Sequence, residues 1–430
     1  MARLSTNHAT WLVILTFALA ARLAAGAWWQ SRIPPEQEFY FGDSLSYWVL
    51  GQTIERGEPY EYRTPDYRVF RAPGYPLLLA GLFRVFGDNG PVMAARALSA
   101  VLGTLAVAVI GWWATRLFDR RSGLWAGWIA ALYPGGVSMG AFVLSEAPFC
   151  PFMLFELALW GLAWRAASNK HAAALAAGAG AAAAIATLIR PSWLLFTPLA
   201  LAIGLAIDNR RRRQLLMGAV VCASFAACML PWWIRNAHVT GHFVATTLQV
   251  GASLYDGLNP TADGGSNLAF VPEFVAAERA AGASGTQHDM FEYRLDRRMT
   301  AAAVAWAREH PGRAAQLALI KFVRFWNVWP NEPSLRDWPL RLVVFCTYAP
   351  LLCLGVAGAW RFTPRGWPYV LAWLPAIYFT LLHAVFVSSI RYREPAMLAL
   401  GVLAAGVLAG AARTESCSSA VAPGRTACPG

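Results

Sequence analysis

The sequence predicts an all-α, polytopic membrane protein with about ten transmembrane helices and two large extracytoplasmic loops that bear surface helices. Composition is the first observation behind this prediction. Of the 430 residues, 57% are apolar and only 14% are charged, against about 25% charged in an average soluble protein. The second observation is that apolar segments recur along the whole chain at close to the ~20 residues that a helix needs to cross a bilayer.

The distribution of basic residues is the third observation. The formal net charge is +12, which by itself would suggest a nucleic-acid partner. The basic side chains nevertheless lie in short clusters between apolar segments, at 116–121, 165–170, 210–213 and 361–365. Such clusters mark cytoplasmic loops, whereas a nucleic-acid site needs one contiguous basic face. We therefore expect a multi-pass protein of the cytoplasmic (inner) membrane with its N-terminus in the cytoplasm and no nucleic-acid partner.

Ten apolar segments separate these clusters and the longer polar regions. The first resembles a secretory signal because Ala25-Gly26-Ala27 looks like a cleavage site, but we expect it to remain as an uncleaved helix. The predicted spans are 10–29, 93–117, 124–143, 148–164, 172–189, 193–207, 215–233, 340–360, 367–387 and 395–412.

Two polar regions are too long to be simple connections. With ten spans and a cytoplasmic N-terminus, both fall outside the cytoplasm. The expected organisation is one transmembrane domain over residues 1–412, with outer loops at 30–91 and 235–337, and a cytoplasmic tail at 413–430. Apolar spacing predicts surface helices at 44–54, 290–308 and 312–329.

Asp43 is the polar residue of the first outer loop that best fits a chemical role. It precedes the predicted helix 44–54, so one interpretation is an N-cap. The other is a general base, because a carboxylate can take the proton from an attacking hydroxyl. A cap also fixes the direction of a carboxylate, so the two interpretations are compatible.

Three arginines are candidates for binding an anion. Arg71 precedes the turn Pro73-Gly74-Tyr75-Pro76, and Arg391 and Arg393 lie in an outer loop, against the usual charge bias. A guanidinium binds phosphate oxygens in a bidentate manner. Lipid headgroups at the interface would also explain these side chains.

Five further residues are candidates for substrate contacts, each with a structural alternative. A carboxylate where a span meets the outer surface either lines a cavity or is solvated, and Glu146 has this position. Arg235 and Asn236 follow the seventh span and serve either a pocket or the interface. Tyr255 and Asn259 are either sugar contacts or turn formers.

No metal site is predicted from the spacing of ligands. His238 and His242 are four residues apart but lack a third partner at a clear spacing. Phosphate-cradling glycine motifs and nucleophile elbows are also absent from the sequence. No cofactor is therefore predicted with certainty, and a divalent metal remains possible.

The motifs taken together resemble the C-type superfamily of membrane glycosyltransferases, in particular bacterial members of the dolichyl-phosphate-mannose–protein mannosyltransferase-like family. The likeness extends from the first span to about residue 408. It is carried by G-D-S-x-x-Y at 42–47, R-x-P-G-Y-P-L-L-L-A at 71–80, S-E-x-P at 145–148, R-P-S at 190–192, P-W-x-x-R-N at 231–236, G-x-x-L-Y-x-G-x-N-P at 251–260 and R-Y-R-x-P at 391–395.

The resemblance implies that Asp43 is the catalytic base. The donor would be a sugar on a polyprenyl phosphate presented from the outer leaflet, and the acceptor a hydroxyl or amine of a glycan, lipid or protein. Arg71, Arg391 and Arg393 would bind the phosphate, which gains charge as its bond to the sugar breaks. The motif residues Tyr47 and Tyr75 join the substrate-binding candidates, and membrane lipids would surround the spans.

The sequence also departs from the family. No second acid lies beside Asp43, and no soluble domain follows the last span, which argues against protein mannosylation as such. A transporter or flippase of lipid-linked sugars would need internal repeats and broken helices, which the sequence does not show. An O-antigen polymerase or ligase would not require the motif at 42–47. A non-catalytic scaffold is the remaining alternative.

Overall fold

The structure is a computed structural model that describes residues 6–34, 36–87, 90–282, 290–329 and 337–410. Within these residues the chain forms α-helices, short 3-10 turns and connecting loops, with no β-strand. The helices are α1 (Thr6–Gln30), α2 (Gly42–Glu55), α3 (Gly74–Phe86), α4 (Val92–Leu117), α5 (Arg120–Leu132), α6 (Pro134–Ala141), α7 (Glu146–Arg165), α8 (Asn169–Ile189), α9 (Phe196–Ile207), α10 (Arg211–Thr240), α11 (Val250–Gly257), α12 (Val271–Gly282), α13 (Phe291–Glu309), α14 (Pro311–Trp326), α15 (Trp338–Phe362), α16 (Trp367–Val385) and α17 (Glu394–Leu408).

The predicted all-α, polytopic class is confirmed. In the described ranges, 7 helices are long and apolar enough to cross a membrane, namely α1, α4, α7, α8, α10, α15 and α16. They coincide with seven of the ten predicted spans. The other three predicted spans correspond to shorter helices: segment 124–143 is divided between α5 and α6, segment 193–207 contains the 12-residue α9, and segment 395–412 contains the 15-residue α17.

The division between α5 and α6 has a local cause. Pro134 begins α6 and has no N–H, so the carbonyl of Ala130 loses its helical partner. Arg22, which is 1% exposed, donates from Nη2 to that carbonyl over 3.1 Å and from Nη1 to Ala18 O over 3.0 Å. A buried arginine of the first span therefore satisfies a backbone group at a break in another helix.

The same device recurs at other helix ends. The last carbonyls of a helix have no intrahelical partner and carry partial negative charge. Arg165 donates to the end of α4, at Arg116 O over 3.1 Å, and Arg213 donates to Ala163 O near the end of α7 over 2.9 Å. Lys321 binds Val385 O at the end of α16. Much of the basic content thus serves packing inside the chain.

The two polar regions lie on one side of the helix bundle, because side chains from both line the same cavity. The first contains α2 and α3, and the second contains α11 to α14. The surface helices predicted at 290–308 and 312–329 are confirmed as α13 and α14. The helix predicted at 44–54 is also present as α2, but its N-cap is Phe41 without a side-chain cap bond, so the expected capping role of Asp43 is wrong.

The opposite side of the bundle gathers the predicted cytoplasmic turns. Arg165 reaches the end of α4 there, and Trp164 donates to Asp208 in the turn before α10. The centre between these two sides is a hydrophobic core built mainly from α4, α7, α16 and α17. The tail predicted at 413–430 lies outside the described residues.

Candidate active site

A cavity of about 970 Å³ opens on the side that carries both polar regions. Its walls come from α1, the start of α2, the segment before α3, α6, the second polar region, α15 and the loop before α17. Pockets of this size are typical of small-molecule and cofactor sites. Predicted site residues that line it are Asp43, Arg71, Asn259 and Arg391.

The carboxylate of Asp43 is held by two arginines from distant parts of the chain. Arg71 Nη2 lies 2.6 Å from Asp43 Oδ1, and Arg391 Nη2 lies 3.8 Å from Asp43 Oδ2. Arg71 is fixed further by a 2.9 Å bond from Nε to Ser46 Oγ, one helical turn after Asp43. The Asp43 side chain keeps 43% of its surface exposed, so it remains accessible from the cavity.

The charge of Asp43 follows from these neighbours. Removal from bulk water inside the cavity opposes ionisation, but the guanidinium groups of Arg71, Arg391 and Arg190 outweigh this effect and hold the pKa of the Asp43 carboxyl below its ordinary value. The carboxylate is therefore ionised at neutral pH. Burial lowers and the Asp43 charge raises the pKa of Arg71, with a net increase, so this guanidinium stays protonated.

Arg391 is positioned by a carboxylate that lies behind it. Its Nε is 2.9 Å from Glu146 Oε1, and Arg190 Nη1 is 3.1 Å from the same oxygen. The Glu146 side chain is only 3% exposed and is not part of the cavity wall. In the structure Glu146 holds two arginines, one of which faces the cavity, and a contact of Glu146 with substrate stays a prediction.

Arg71 is placed by a segment that the second polar region anchors. The backbone N–H groups of Arg68 and Val69 each donate to Glu292 Oε2 over 2.8 Å. Tyr60 donates its hydroxyl to Arg71 O over 3.1 Å. Glu292 is buried, with 1% exposure, and burial raises the pKa of its carboxyl to about 8 despite these two donors. The two polar regions are thus joined next to the cavity.

Tyr47 and Tyr75 form a packed pair next to Arg71 and do not line the cavity. The Arg71 guanidinium carbon lies 5.0 Å from the centre of the Tyr47 ring, and that ring meets Tyr75 edge-to-face with centroids 5.1 Å apart. Both tyrosines are buried. In the structure they contribute packing, which includes a cation–π contact, and their predicted role as substrate contacts stays a prediction.

Arg393 lies outside the cavity, contrary to the expectation that it binds phosphate. It is 0% exposed, donates to the carbonyls of Phe325 and Asn327 at the end of α14, and pairs with Glu394 at 3.4 Å. Its guanidinium carbon lies 3.6 Å from the Tyr348 ring centre. Its position behind the loop makes it a structural arginine.

Arg235 and Asn236 also lie outside the cavity wall. Arg235 contacts the faces of Tyr60 and Trp232, with its guanidinium carbon 5.3 and 4.9 Å from the ring centres. Asn236 is buried and donates to Val244 O over 3.1 Å. The structure therefore supports their alternative role as anchors of the loop after α10.

Two residues of the motif at 251–260, Asp256 and Asn259, line the cavity. Asn259 lines the wall, but its amide donates to Tyr255 O over 2.8 Å and its carbonyl accepts from Thr261. Tyr255 packs between Phe270 and Phe274 away from the cavity. Asn259 shapes the loop, which leaves Asp256 as the charged member of this motif in the wall.

Sequence reasoning missed several residues of this neighbourhood. Ser46 and Arg190 lie within stretches that carry the resemblance, but neither was given a role; in the structure they contact Arg71 and Glu146. Glu394 and Tyr392 line the cavity beside Arg391. Both lie within the motif at 391–395 that carries the resemblance, but the sequence analysis gave neither of them a role.

Over the described ranges, no group of three or more His, Cys, Asp or Glu residues is placed to hold a metal ion. In the structure the Asp43 carboxylate faces guanidinium groups instead.

Comparison with known families supports this picture. Residues 70–234 match the model of the dolichyl-phosphate-mannose-protein mannosyltransferase family. The predicted family resemblance is confirmed. The matched region contains the motifs from Arg71 to Arg190 and most of α10. No curated protein sequence matches the chain significantly.

Solved structures show where else this fold occurs. The chain is similar to the Archaeoglobus fulgidus oligosaccharyltransferase in its apo form, with a TM-score of 0.61, 16% identity, and coverage of 97% of this chain and 52% of that one. The same enzyme, AglB, in complex with an inhibitory peptide and a dolichol-phosphate matches with a TM-score of 0.57, 15% identity and the same coverage, 97% and 52%. ArnT from Cupriavidus metallidurans bound to undecaprenyl phosphate gives a TM-score of 0.45 at 17% identity, with 96% and 81% covered.

These comparisons establish a shared fold with the oligosaccharyltransferase, of which this chain spans about half the length. The matched family and that enzyme are both named for sugar transfer. The enzyme class predicted from the sequence, a membrane glycosyltransferase, agrees with both.

Proposed function

We propose that this protein transfers a sugar from a polyprenyl-phosphate donor to an acceptor hydroxyl or amine, with Asp43 as general base. The observation that carries the proposal is the ionised Asp43 carboxylate beside Arg71 and Arg391 at one cavity wall. A base must be within reach of the acceptor proton, and cations must meet the charge that develops on the leaving group. This cluster offers both in one place.

In the proposed reaction a lone pair of the acceptor attacks the anomeric carbon of the sugar. The bond from that carbon to the phosphate oxygen breaks, and its electron pair stays on the phosphate. The acceptor proton passes to the Asp43 carboxylate. Arg71 and Arg391 bind the phosphate, which is recognised well by the planar guanidinium fork. Attack opposite the leaving phosphate inverts the anomeric centre, as the family resemblance implies.

The cavity also offers a place for the lipid. One part of its wall is formed by Ala25 and Trp28 of α1, Leu340 and Val344 of α15, and Met139 of α6. These side chains belong to helices with lipid-facing surfaces, because α1 and α15 are among the least buried spans. An isoprenoid chain would enter between them. The complex of AglB with a dolichol-phosphate is consistent with such a ligand in this fold.

The positions of the basic turns indicate on which face of the membrane the cavity opens. The cavity lies on the side opposite to the turns near Arg165 and Asp208. We infer that those turns face the cytoplasm, and the cavity faces the extracytoplasmic surface of the cytoplasmic membrane. Membrane lipids are then direct neighbours, and the acceptor reaches the cavity from the outside.

One observation keeps transport of lipid-linked sugars as a second candidate. The broken helix α5–α6 contributes Pro134 and Gly135 to the cavity wall, and discontinuous helices beside a ligand site are typical of transporters. The sequence alone did not reveal this break. A flippase would move the intact donor across the bilayer, whereas a transferase breaks its bond to phosphate.

The deciding experiment uses the purified full chain in lipid nanodiscs with a panel of polyprenyl-phosphate sugars labelled in the sugar. Lipid extracts of cells that make the chain serve as the acceptor pool. Release of polyprenyl phosphate together with label in a new product supports the proposal. Movement of the intact donor across liposomes without release of phosphate would establish transport instead.

A further inference from the structure

The cluster around Asp43 contains more positive than negative side chains. The ion pairs around Asp43 and Glu146 in the described part of the chain join these two carboxylates to three guanidiniums, from Arg71, Arg190 and Arg391. Glu146 is enclosed and serves Arg190 and Arg391 from behind. Asp43 is the one of these two carboxylates that lines the cavity; it accepts a hydrogen bond from Arg71 and lies 3.8 Å from Arg391 Nη2.

We propose, resting on the function proposed above, that Asp43 occupies the anion position which the phosphate of the donor takes. In the free protein the carboxylate therefore competes with the ligand for Arg71 and Arg391. Donor binding draws these guanidiniums away from Asp43 and adds a negative charge beside it. Both changes make Asp43 a stronger base, so the base becomes effective only when a donor is present.

The charge count agrees at each stage of the reaction. Three guanidiniums and two carboxylates leave one surplus positive charge, which matches the single negative charge of a phosphodiester donor. When Asp43 accepts the acceptor proton it becomes neutral, and the surplus rises to two. The leaving phosphate monoester then carries a charge of about −1.5 to −2. The cluster is thus close to neutral both before and after the sugar leaves.

The geometry favours Asp43 over Glu146 as the carboxylate that a phosphate displaces. The 2.6 Å contact from Arg71 Nη2 is a strong charge-assisted bond, whereas Arg391 Nη2 is still 3.8 Å from the other carboxylate oxygen. Arg391 is held on its far edge by Glu146 at 2.9 Å. Its Nη2 donates to the Tyr392 hydroxyl over 3.2 Å and makes no short bond to Asp43. A phosphate at Arg391 therefore displaces only weak contacts, whereas Arg71 must exchange one anion for another.

The test measures binding of farnesyl phosphate, and of farnesol as the uncharged probe, to the purified full chain in detergent. Calorimetry is the main readout, and the change in total tryptophan fluorescence, to which Trp28 and Trp29 of the cavity wall contribute, is the second. Asp43→Asn should bind farnesyl phosphate about tenfold more tightly or better, since it removes the negative charge that competes with the phosphate for Arg71 and Arg391. Farnesol binding should not change.

Asp66→Asn is the matched control. The Asp66 side chain is also 43% exposed and also faces an arginine, Arg279 at 3.6 Å, but it lies outside the cavity wall. It should leave both affinities unchanged. Asp43→Ser provides a second neutral variant in case the Asn side chain misfolds the loop or donates a new hydrogen bond.

Equal or weaker binding of farnesyl phosphate by both neutral variants would overturn the inference, as would an equal gain for farnesol. The outcome is separable from that of the proposed function. If the Asp43 variants bind farnesyl phosphate more tightly but the unmodified chain transfers no sugar in the nanodisc assay, the anion exchange stands and the proposed transferase activity is wrong. If the unmodified chain transfers sugar but the variants bind farnesyl phosphate no more tightly, the transferase activity stands and the anion exchange is wrong.

Discussion

Arg391 Nε lies 2.9 Å from Glu146 Oε1, so the loop before the last helix is joined to the start of α7 by a buried ion pair. Arg190 shares the same carboxylate oxygen at 3.1 Å. Glu146 thereby fixes the orientation of the Arg391 side chain at the cavity. A buried carboxylate with two cations is costly to disrupt, because loss of one partner leaves uncompensated charge.

Replacement of Asp43 tests the base directly. Asp43→Asn keeps the shape of the side chain but cannot take a proton, and we expect kcat for sugar transfer to fall about 10²- to 10⁴-fold. Elution from a sizing column and the helical signal in circular dichroism should match the wild type. A variant that keeps its turnover would remove Asp43 from the reaction, and Asp66→Asn should remain fully active.

Replacement of Arg391 tests the phosphate contact. Arg391→Ala should raise KM for the polyprenyl-phosphate donor about ten- to a hundredfold, because hydrogen bonds to charged groups are worth about 1.5–3 kcal/mol. KM for the acceptor should change much less. Initial rates over a grid of both substrate concentrations give the two constants. An equal rise in both would point to a general distortion of the cavity, which a melting curve of the variant would reveal.

Arg393 should contribute to stability instead of chemistry, although it lies two residues away from Arg391. Arg393→Gln leaves the carbonyls of Phe325 and Asn327 and the carboxylate of Glu394 with poorer partners. We expect a loss of about 3–5 kcal/mol, as for other broken buried pairs, seen as a lower melting temperature in detergent. Arg308→Gln removes an exposed arginine of α13 and should leave that temperature unchanged.

The sequence predicted the fold class and the side of the bundle that carries the site, because both depend on patterns of local composition. Apolar length revealed the seven long spans, and the basic turns indicated which ends belong together. The break at Pro134 was hidden because the residues on both sides are apolar or small. The structure explains how the break is stabilised, because Arg22 donates to the Ala130 carbonyl that Pro134 leaves without a helical partner.

The site was predictable only as a set of candidates. Motif order indicated Asp43, Arg71 and Arg391, which the fold brings together. The local sequence could not separate Arg391 from Arg393, since both lie in the same short 3-10 turn before α17. Their different roles arise from the turn, which directs one side chain to the cavity and the other to the end of α14. Such directions depend on tertiary packing.

Gly74 is required by a close backbone contact that also positions Arg71. A Cβ at this position would lie 2.7 Å from the backbone of Leu188 and Ile189 at the end of α8, and backbone atoms there cannot move aside cheaply. Gly74→Ala should shift the start of α3 and lower both melting temperature and kcat/KM for the donor. Gly81→Ala in the same helix meets no atom within 4 Å and should be neutral in both measurements.

Glu292 should make stability depend on pH. Burial raises the pKa of its carboxyl in the folded protein to about 8, against about 4.3 in an unfolded chain. Between these two pH values the folded state binds a proton that the unfolded state does not. The contribution of Glu292 to the free energy of unfolding is therefore fully present below about pH 4.3 and is lost as pH rises towards 8. Asp296 raises this pKa further, and Arg235 opposes it.

Glu292→Gln should remove that dependence. The amide oxygen can still accept from the N–H groups of Arg68 and Val69, and its neutral form does not change with pH. The difference in melting temperature between variant and wild type should therefore grow in favour of the variant from pH 5 to pH 8. Glu273→Gln, at an exposed carboxylate of α12, should show no such trend. A constant difference across this range would mean that Glu292 is ionised throughout, and that the segment before Arg71 is held by a carboxylate.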